Sequence, residues 1–145
     1  MRKNYFNREI SWIDFNERVL NEGLRADMPP LERFRFLSIV SSNFDEFFMV
    51  RIAPLKAALQ AERQAEYAPE AKTDISGMKY ETILAACVEK IRSILKRQYD
   101  CLLNEIFPAL AANGLELLHP NSYSVDDTAF LETMFKREIA PTLTP

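Results

Sequence analysis

Glycine is scarce: Gly23, Gly77 and Gly114 each stand alone among 145 residues. A loop that cradles phosphate with its backbone amides needs several glycines close together, so that kind of nucleotide site is absent from the chain. The single histidine, His119, rules out the His-Glu-x-x-His zinc pattern, and its place before Pro120 reads as surface or structural rather than catalytic. Cys87 and Cys101 fall on one expected helix, 14 positions apart. At the helical rise that is about 21 Å, too far for a disulfide within the helix, and the two read as buried thiols of a reducing compartment. No residue pattern suggests a metal site. No apolar run approaches the roughly 20 residues that span a bilayer, and Met1 to Ile13 is too charged for a secretory signal. A cytoplasmic chain without a transmembrane segment is expected. Charge is nearly balanced, with 18 basic and 21 acidic residues and a net charge of −3, so the surface as a whole has no pull on a polyanion such as nucleic acid.

What remains is helix-forming. Hydrophobic residues make up 48% of the chain, enough for one core and a small appendage, and Leu, Ala, Glu, Lys and Arg dominate the long stretches. Ser11-x-x-Asp14 resembles a capping box and predicts a first helix over 12–25, stapled by Ile10 and Phe15. Pro29-Pro30 opens a second, with Leu31, Phe34, Leu37 and Val40 as its buried stripe. Ser41-Ser42-Asn43 prefer to bond their own backbone and predict a break, with Asn43 or Ser42 capping a third helix that carries Phe44, Phe47, Phe48, Ile52 and Leu55. Pro54 should end or bend that helix near Ala53. Residues 60–76 read as a loose connection. Met78 to Leu110 then describes one long amphipathic helix of about eight turns. Asn113-Gly114 offers a left-handed closure, and Leu115 to Leu118 reads as a short strand. Ser124-x-x-Asp127 caps a last helix with Phe130, Leu131, Met134, Phe135 and Ile139 on its apolar face, which Pro141 should stop. The expected fold is an all-α helical bundle with one long helix over 1–112. Residues 113–145 are expected to supply the first elements, a short strand and a helix, of a truncated α/β second domain.

Few residues offer chemistry. Asp45-Glu46 reads as helix-start charge favoured by the dipole rather than a metal or acid–base pair. Lys90, Arg92, Lys96 and Arg97 read as a solvated face rather than a phosphate site. Asn43 is the exception, since an amide that caps a helix also carries the donor and acceptor needed to read a purine edge. A different class of function is a protein-interaction module, with Phe34, Phe36, Phe44, Phe47 and Phe48 lining an apolar groove.

The ordered pieces Tyr5-Phe6-Asn7-Arg8-Glu9-Ile10-Ser11-Trp12, Phe15-Asn16-Glu17-Arg18-Val19-Leu20, Pro30-Leu31-Glu32-Arg33 and Ser41 to Arg51 resemble the start of bacterial-type polyphosphate kinases. Arg137 to Leu143 is similar to that family's entry into its second domain. The resemblance implies an enzyme that reversibly moves the terminal phosphate of ATP onto inorganic polyphosphate through a phosphohistidine, with Mg2+, in a homo-oligomer. It assigns this part a wall of the nucleotide site, with Asn43 at the position that contacts adenine. It places the phosphorylated histidine and the metal-binding arginines in later domains, so this part alone should be inactive and bind no cofactor.

Overall fold

A computed structural model describes residues 5–64 and 73–143 of the chain. Among the described residues six α-helices follow in order: α1 (Arg8–Gly23), α2 (Pro30–Phe47), α3 (Ala53–Gln64), α4 (Tyr80–Cys101), α5 (Phe107–Ala112) and α6 (Val125–Met134). The expected strand at Leu115 to Leu118 is irregular chain instead, because no neighbouring strand lies beside it to complete a ladder. Of the stretch expected to be a loose connection, residues 65–72 lie outside the described residues; Gln60 to Gln64 are helical, and Thr73 bridges to Lys79 across a tight turn.

Pro54 and Pro108 shape their helices without stopping them, and Pro141 ends the last one. A proline inside a helix donates no hydrogen bond, and its ring collides with the carbonyl four residues back. Before each of Pro54, Pro108 and Pro141 the chain widens into one π-helical turn, at Phe48–Ile52, Leu102–Ile106 and Phe135–Ile139. The residue just ahead of each proline donates five residues back: Ala53 to Phe48, Phe107 to Leu102 and Ala140 to Phe135. The extra residue in the turn displaces the offending carbonyl, so the helix continues through Pro54 and Pro108, whereas at Pro141 it ends, as expected, in the short turn Ala140–Thr142 before extended Leu143. Ile52 and Ile106 thereby stay buried on the core side.

The core lies between α1, α2 and α4. Ile13 and Leu20 of α1, Leu37, Val40, Phe44 and Phe47 of α2, and Ile83, Cys87, Ile91, Ile94 and Cys101 of α4 form it together. Each such apolar side chain removed from water contributes about 1.5–3 kcal/mol. Of the stripe expected on α2, Leu37 and Val40 are buried, but Leu31 and Phe34 are exposed, and Arg33 takes the inward position instead. Gly23 ends α1 against Leu37, Phe36 and Arg33 of α2. A Cβ there would stand 2.5 Å from Leu37 Cδ1, so the glycine serves close packing rather than a turn. At the end of α5 the left-handed closure is present: Gly114 has φ of 82°, and Leu115 N–H reaches back to the Leu110 carbonyl at 3.0 Å.

The first helix starts one turn earlier than Ser11 suggests. Asn7 is the cap: its Oδ1 accepts from the Ile10 amide at 2.9 Å, and its Nδ2 donates to Asp74 Oδ2 at 2.8 Å. That second bond ties the start of α1 to the turn before α4, an advantage Ser11 could not have from its exposed place within the helix. Asp14, the would-be partner of Ser11, pairs instead with Lys90 of α4, and Phe15 is exposed rather than stapled. The predicted capping box at Ser124 and Asp127 is formed in both directions. The apolar face drawn on the helix behind it is not buried, however: neither α6 nor its π turn buries a residue, and Phe130 is 66% exposed, because no other helix packs on it.

Both cysteines are free and buried. Burial pushes the Cys87 thiol up from 9.0 to about 11, with the nearby Glu9 charge adding to the shift and Lys90 opposing it. The unfolded chain therefore loses this proton before the folded one does, and the stabilisation is complete below about pH 9 and disappears as pH rises toward about 11. Urea unfolding at pH 8 and pH 10 should accordingly show a larger loss of stability in the unaltered chain than in Cys87→Val. Parallel losses in both would contradict it.

Candidate functional site

Polar residues placed on apolar stripes mark where this bundle is organised. On α1 the inward positions Ile13, Asn16 and Leu20 recur at helical spacing, and Asn16 is fully buried among them. A buried amide must find partners for both its oxygen and its nitrogen. Asn16 Nδ2 donates to the Val40 carbonyl of α2 at 3.2 Å, and Asn16 Oδ1 accepts from Asn43 Nδ2 at 2.9 Å. Asn43 is half-buried.

This geometry revises the role expected of Asn43. It caps no helix: α2 runs without a break from Pro30 to Phe47, and Asn43 lies inside it. Two of the residues that should have broken the helix, Ser41 and Asn43, direct their polar groups across the bundle instead. Ser41 Oγ accepts from Gln98 Nε2 at 2.8 Å, Gln98 Nε2 also donates to the Leu37 carbonyl at 2.8 Å, and Asn43 turns to Asn16. With those needs met by α1 and α4, the backbone keeps its helical bonds. Asp45 and Glu46 consequently stand in the last turn of α2, exposed, not at a helix start, where the dipole would favour them.

The other candidates separate cleanly. Lys90 pairs with Asp14, Arg97 with Glu17 and Lys96 with Asp100, so three of the four basic residues of α4 are neutralised by neighbouring carboxylates rather than gathered for phosphate. His119 lies exposed in irregular chain. The proposed phenylalanine groove does not form as drawn, because Phe44 and Phe47 are core residues, 3% and 2% exposed. Among the described residues no three His, Cys, Asp or Glu side chains converge to hold a metal ion. No described helix is long and apolar enough to cross a membrane.

Arg33 is a further residue that the sequence reading passed over. Its Nε donates to the Gly23 carbonyl at 2.9 Å, and its Nη2 donates to Cys101 Sγ at 3.0 Å and to Glu105. It pins the α1–α2 corner onto α4 and the π turn beyond it. The signal for Asn16, Arg33 and Gln98 was the same: each interrupts an apolar stripe at core spacing.

Asn43 itself lines neither the cleft of about 450 Å³ bounded by Arg8, Arg51, Pro54 and Tyr80 nor the groove between α3 and α4. It is presented on an open surface. Ile39, one helical turn before it, is 40% exposed, and Val19, one turn beyond Asn16 on α1, is half-buried. The arrangement is a pair of linked amides beside apolar side chains, able to offer one hydrogen-bonding edge and an apolar flank.

Residues 5–118 match the family described as Polyphosphate kinase N-terminal domain. The chain is 43% identical over 141 residues to a polyphosphate kinase of Bacillus cereus, covering 97% of this chain and 19% of that protein. It is 42% identical over 146 residues to polyphosphate kinase 1 of Chlorobaculum tepidum, with the same coverage of 97% and 19%. The crystal structure of polyphosphate kinase from Porphyromonas gingivalis superimposes with a TM-score of 0.70 at 33% identity, over 95% of this chain and 18% of that one. The chain thus spans about a fifth of the length of the curated relatives it matches. With its helical bundle and its amino-terminal motifs accounted for, the chain belongs to the polyphosphate kinase N-terminal domain family.

Proposed function

We propose that this chain is the helical N-terminal domain of a full-length polyphosphate kinase, in which it forms one wall of the nucleotide site and Asn43 meets the adenine. The full-length enzyme would transfer the terminal phosphate of ATP to inorganic polyphosphate through a phosphohistidine, with Mg2+, as a homo-oligomer in the cytoplasm. The observation that carries the role of the domain is Asn43: a half-buried amide, inside a rigid helix and oriented by a buried partner, on the segment that resembles the family's nucleotide contact. Phosphoryl transfer is driven by positioned charge around the phosphates, and this chain gathers none beside Asn43. Its contribution is to hold the base.

Among the described residues Mg2+ finds no ligand set, since Asp45 and Glu46 are exposed at the end of α2 and no third donor joins them. No step is therefore assigned to it in this domain. The following domain would begin within residues 113–145, and its remaining elements would cover the exposed faces of Phe130 and Phe135.

The full-length protein should make acid-labile polyphosphate from ATP, and absence of both product and the ADP-to-ATP reverse reaction would refute the kinase assignment. Asn43→Ala in that protein should raise KM for ATP about tenfold, the loss of about 1.4 kcal/mol expected for one good hydrogen bond, and should also lower the melting temperature modestly, because the buried Asn16 Oδ1 loses its donor. An unchanged KM with a lowered melting temperature would mean that Asn43 serves packing only.

A further inference from the structure

The chain of amides leading to Asn43 has a direction. It begins at the Val40 carbonyl, a backbone oxygen that can only accept. Asn16 must therefore turn its Nδ2 toward Val40, at 3.2 Å, which leaves its Oδ1 facing Asn43. That oxygen in turn can only accept, so Asn43 must present Nδ2 to it, at 2.9 Å. Free amides flip readily, but neither of these can flip without setting two acceptors against each other inside the bundle, where Asn16 is 0% exposed. The consequence falls on the other end of Asn43. Its Oδ1 is turned away from Asn16, and among the described residues no donor meets it.

We infer that Asn16 is a positioning residue which locks the Asn43 amide with its oxygen outward, so that the site selects a base bearing a hydrogen-bond donor, the exocyclic amino group of adenine, over one bearing an acceptor there. The inference rests on the reading of Asn43 as a nucleotide contact and adds the polarity of that contact. A six-amino purine donates to the fixed oxygen. A six-oxo purine, as in inosine or guanosine triphosphate, sets its own oxygen against it and leaves both acceptors unpaired, which costs more than the simple loss of a bond.

The test uses the full-length enzyme with ATP, inosine triphosphate and purine riboside triphosphate, which carries hydrogen at the six position. The unaltered enzyme should prefer ATP over inosine triphosphate by at least about tenfold in kcat/KM, with the unsubstituted purine between them. In Asn16→Leu, which keeps the bulk and frees the Asn43 amide to flip, the preference should shrink to within about threefold. Asn16→Asp should retain it, because burial favours the protonated carboxyl, whose hydroxyl can donate to Val40 while its carbonyl oxygen accepts from Asn43. A merely structural Asn16 would lower stability without moving this ratio. Equal use of ATP and inosine triphosphate by the unaltered enzyme overturns the inference, even if no variant folds. A folded Asn16→Leu that keeps the full preference overturns it as well, while an Asn43→Ala that raises KM for ATP leaves the nucleotide wall standing. If Asn43→Ala leaves KM unchanged, the wall itself fails and the positioning role falls with it.

Discussion

Phe47→Ala should lower the unfolding free energy of this chain by about 3–5 kcal/mol, the range for removing a large aromatic side chain from a packed core. Phe47 is 2% exposed and stacks on Trp12 with ring centroids 4.5 Å apart and planes 11° from parallel. It fixes the end of α2 against the start of α1 just before the π turn that steers the chain toward Pro54. The void left by alanine cannot be filled easily, since Phe44 already holds its own tilted contact with Trp12 at 6.3 Å. A domain of ordinary stability, about 5–15 kcal/mol, would keep only part of its margin. The readout is built in, because Trp12 is the single tryptophan and its fluorescence reports urea unfolding at this contact. A loss under about 1 kcal/mol would mean that neighbouring side chains collapse into the space and that the stack matters little.

Arg33→Leu should cost about 2–3 kcal/mol, mainly because the Gly23 carbonyl loses its charged donor and is left in a buried corner with only the weak Cys101 thiol as partner. Leucine matches the apolar part of the arginine and can pack near Leu37, so the loss isolates the polar contacts. Replacing a buried charge by an apolar residue is often neutral when its partner is removed too. Here the partner is a backbone oxygen that no substitution removes. Glu105, by contrast, is 54% exposed and can return to water, so its share of the loss is screened and small. Stability of the unaltered chain relative to Arg33→Leu should therefore change little between low and high salt. Arg33→Lys should fall between the two, since one ammonium group cannot follow the guanidinium fork to Gly23, Cys101 and Glu105 together. A strong salt dependence, or a neutral Arg33→Leu, would assign the effect to the surface ion pair or to none of these contacts.

The helices were legible because each carries its own evidence. Leu37 and Val40, or Ile83, Cys87, Ile91 and Ile94, recur at helical spacing whatever they pack against, and Pro30, Gly114 and the Ser124–Asp127 box act within a few residues of themselves. Pro54 announced a disturbance near Ala53, and the disturbance is there. Its form was not announced. A π turn in place of a stop depends on Ile52 needing to stay in the core, which is a property of the helices across from it.

The errors share one cause. Ser11 looked like a cap and Ser41-Ser42-Asn43 looked like a break because, in isolation, small polar side chains bond their own backbone. Asn7 outcompeted Ser11 through Asp74, which is 67 positions away, and Asn43 stayed helical through Asn16, 27 positions away. The strand expected at Leu115 to Leu118 needed a neighbour that the fold does not place beside it, and the stripe of α6 needed a surface to cover it.

By itself, the sequence determined a helical bundle with no phosphate loop, and through its amino-terminal motifs it pointed to the family and to Asn43. Tertiary structure alone decided that Asn43 is no cap, that Asn16 orients it, and that Arg33 rather than Leu31 or Phe34 faces inward. Periodicity is a property of neighbouring residues, whereas the pairing of a buried polar atom is settled only when a second helix brings its complement within hydrogen-bonding distance.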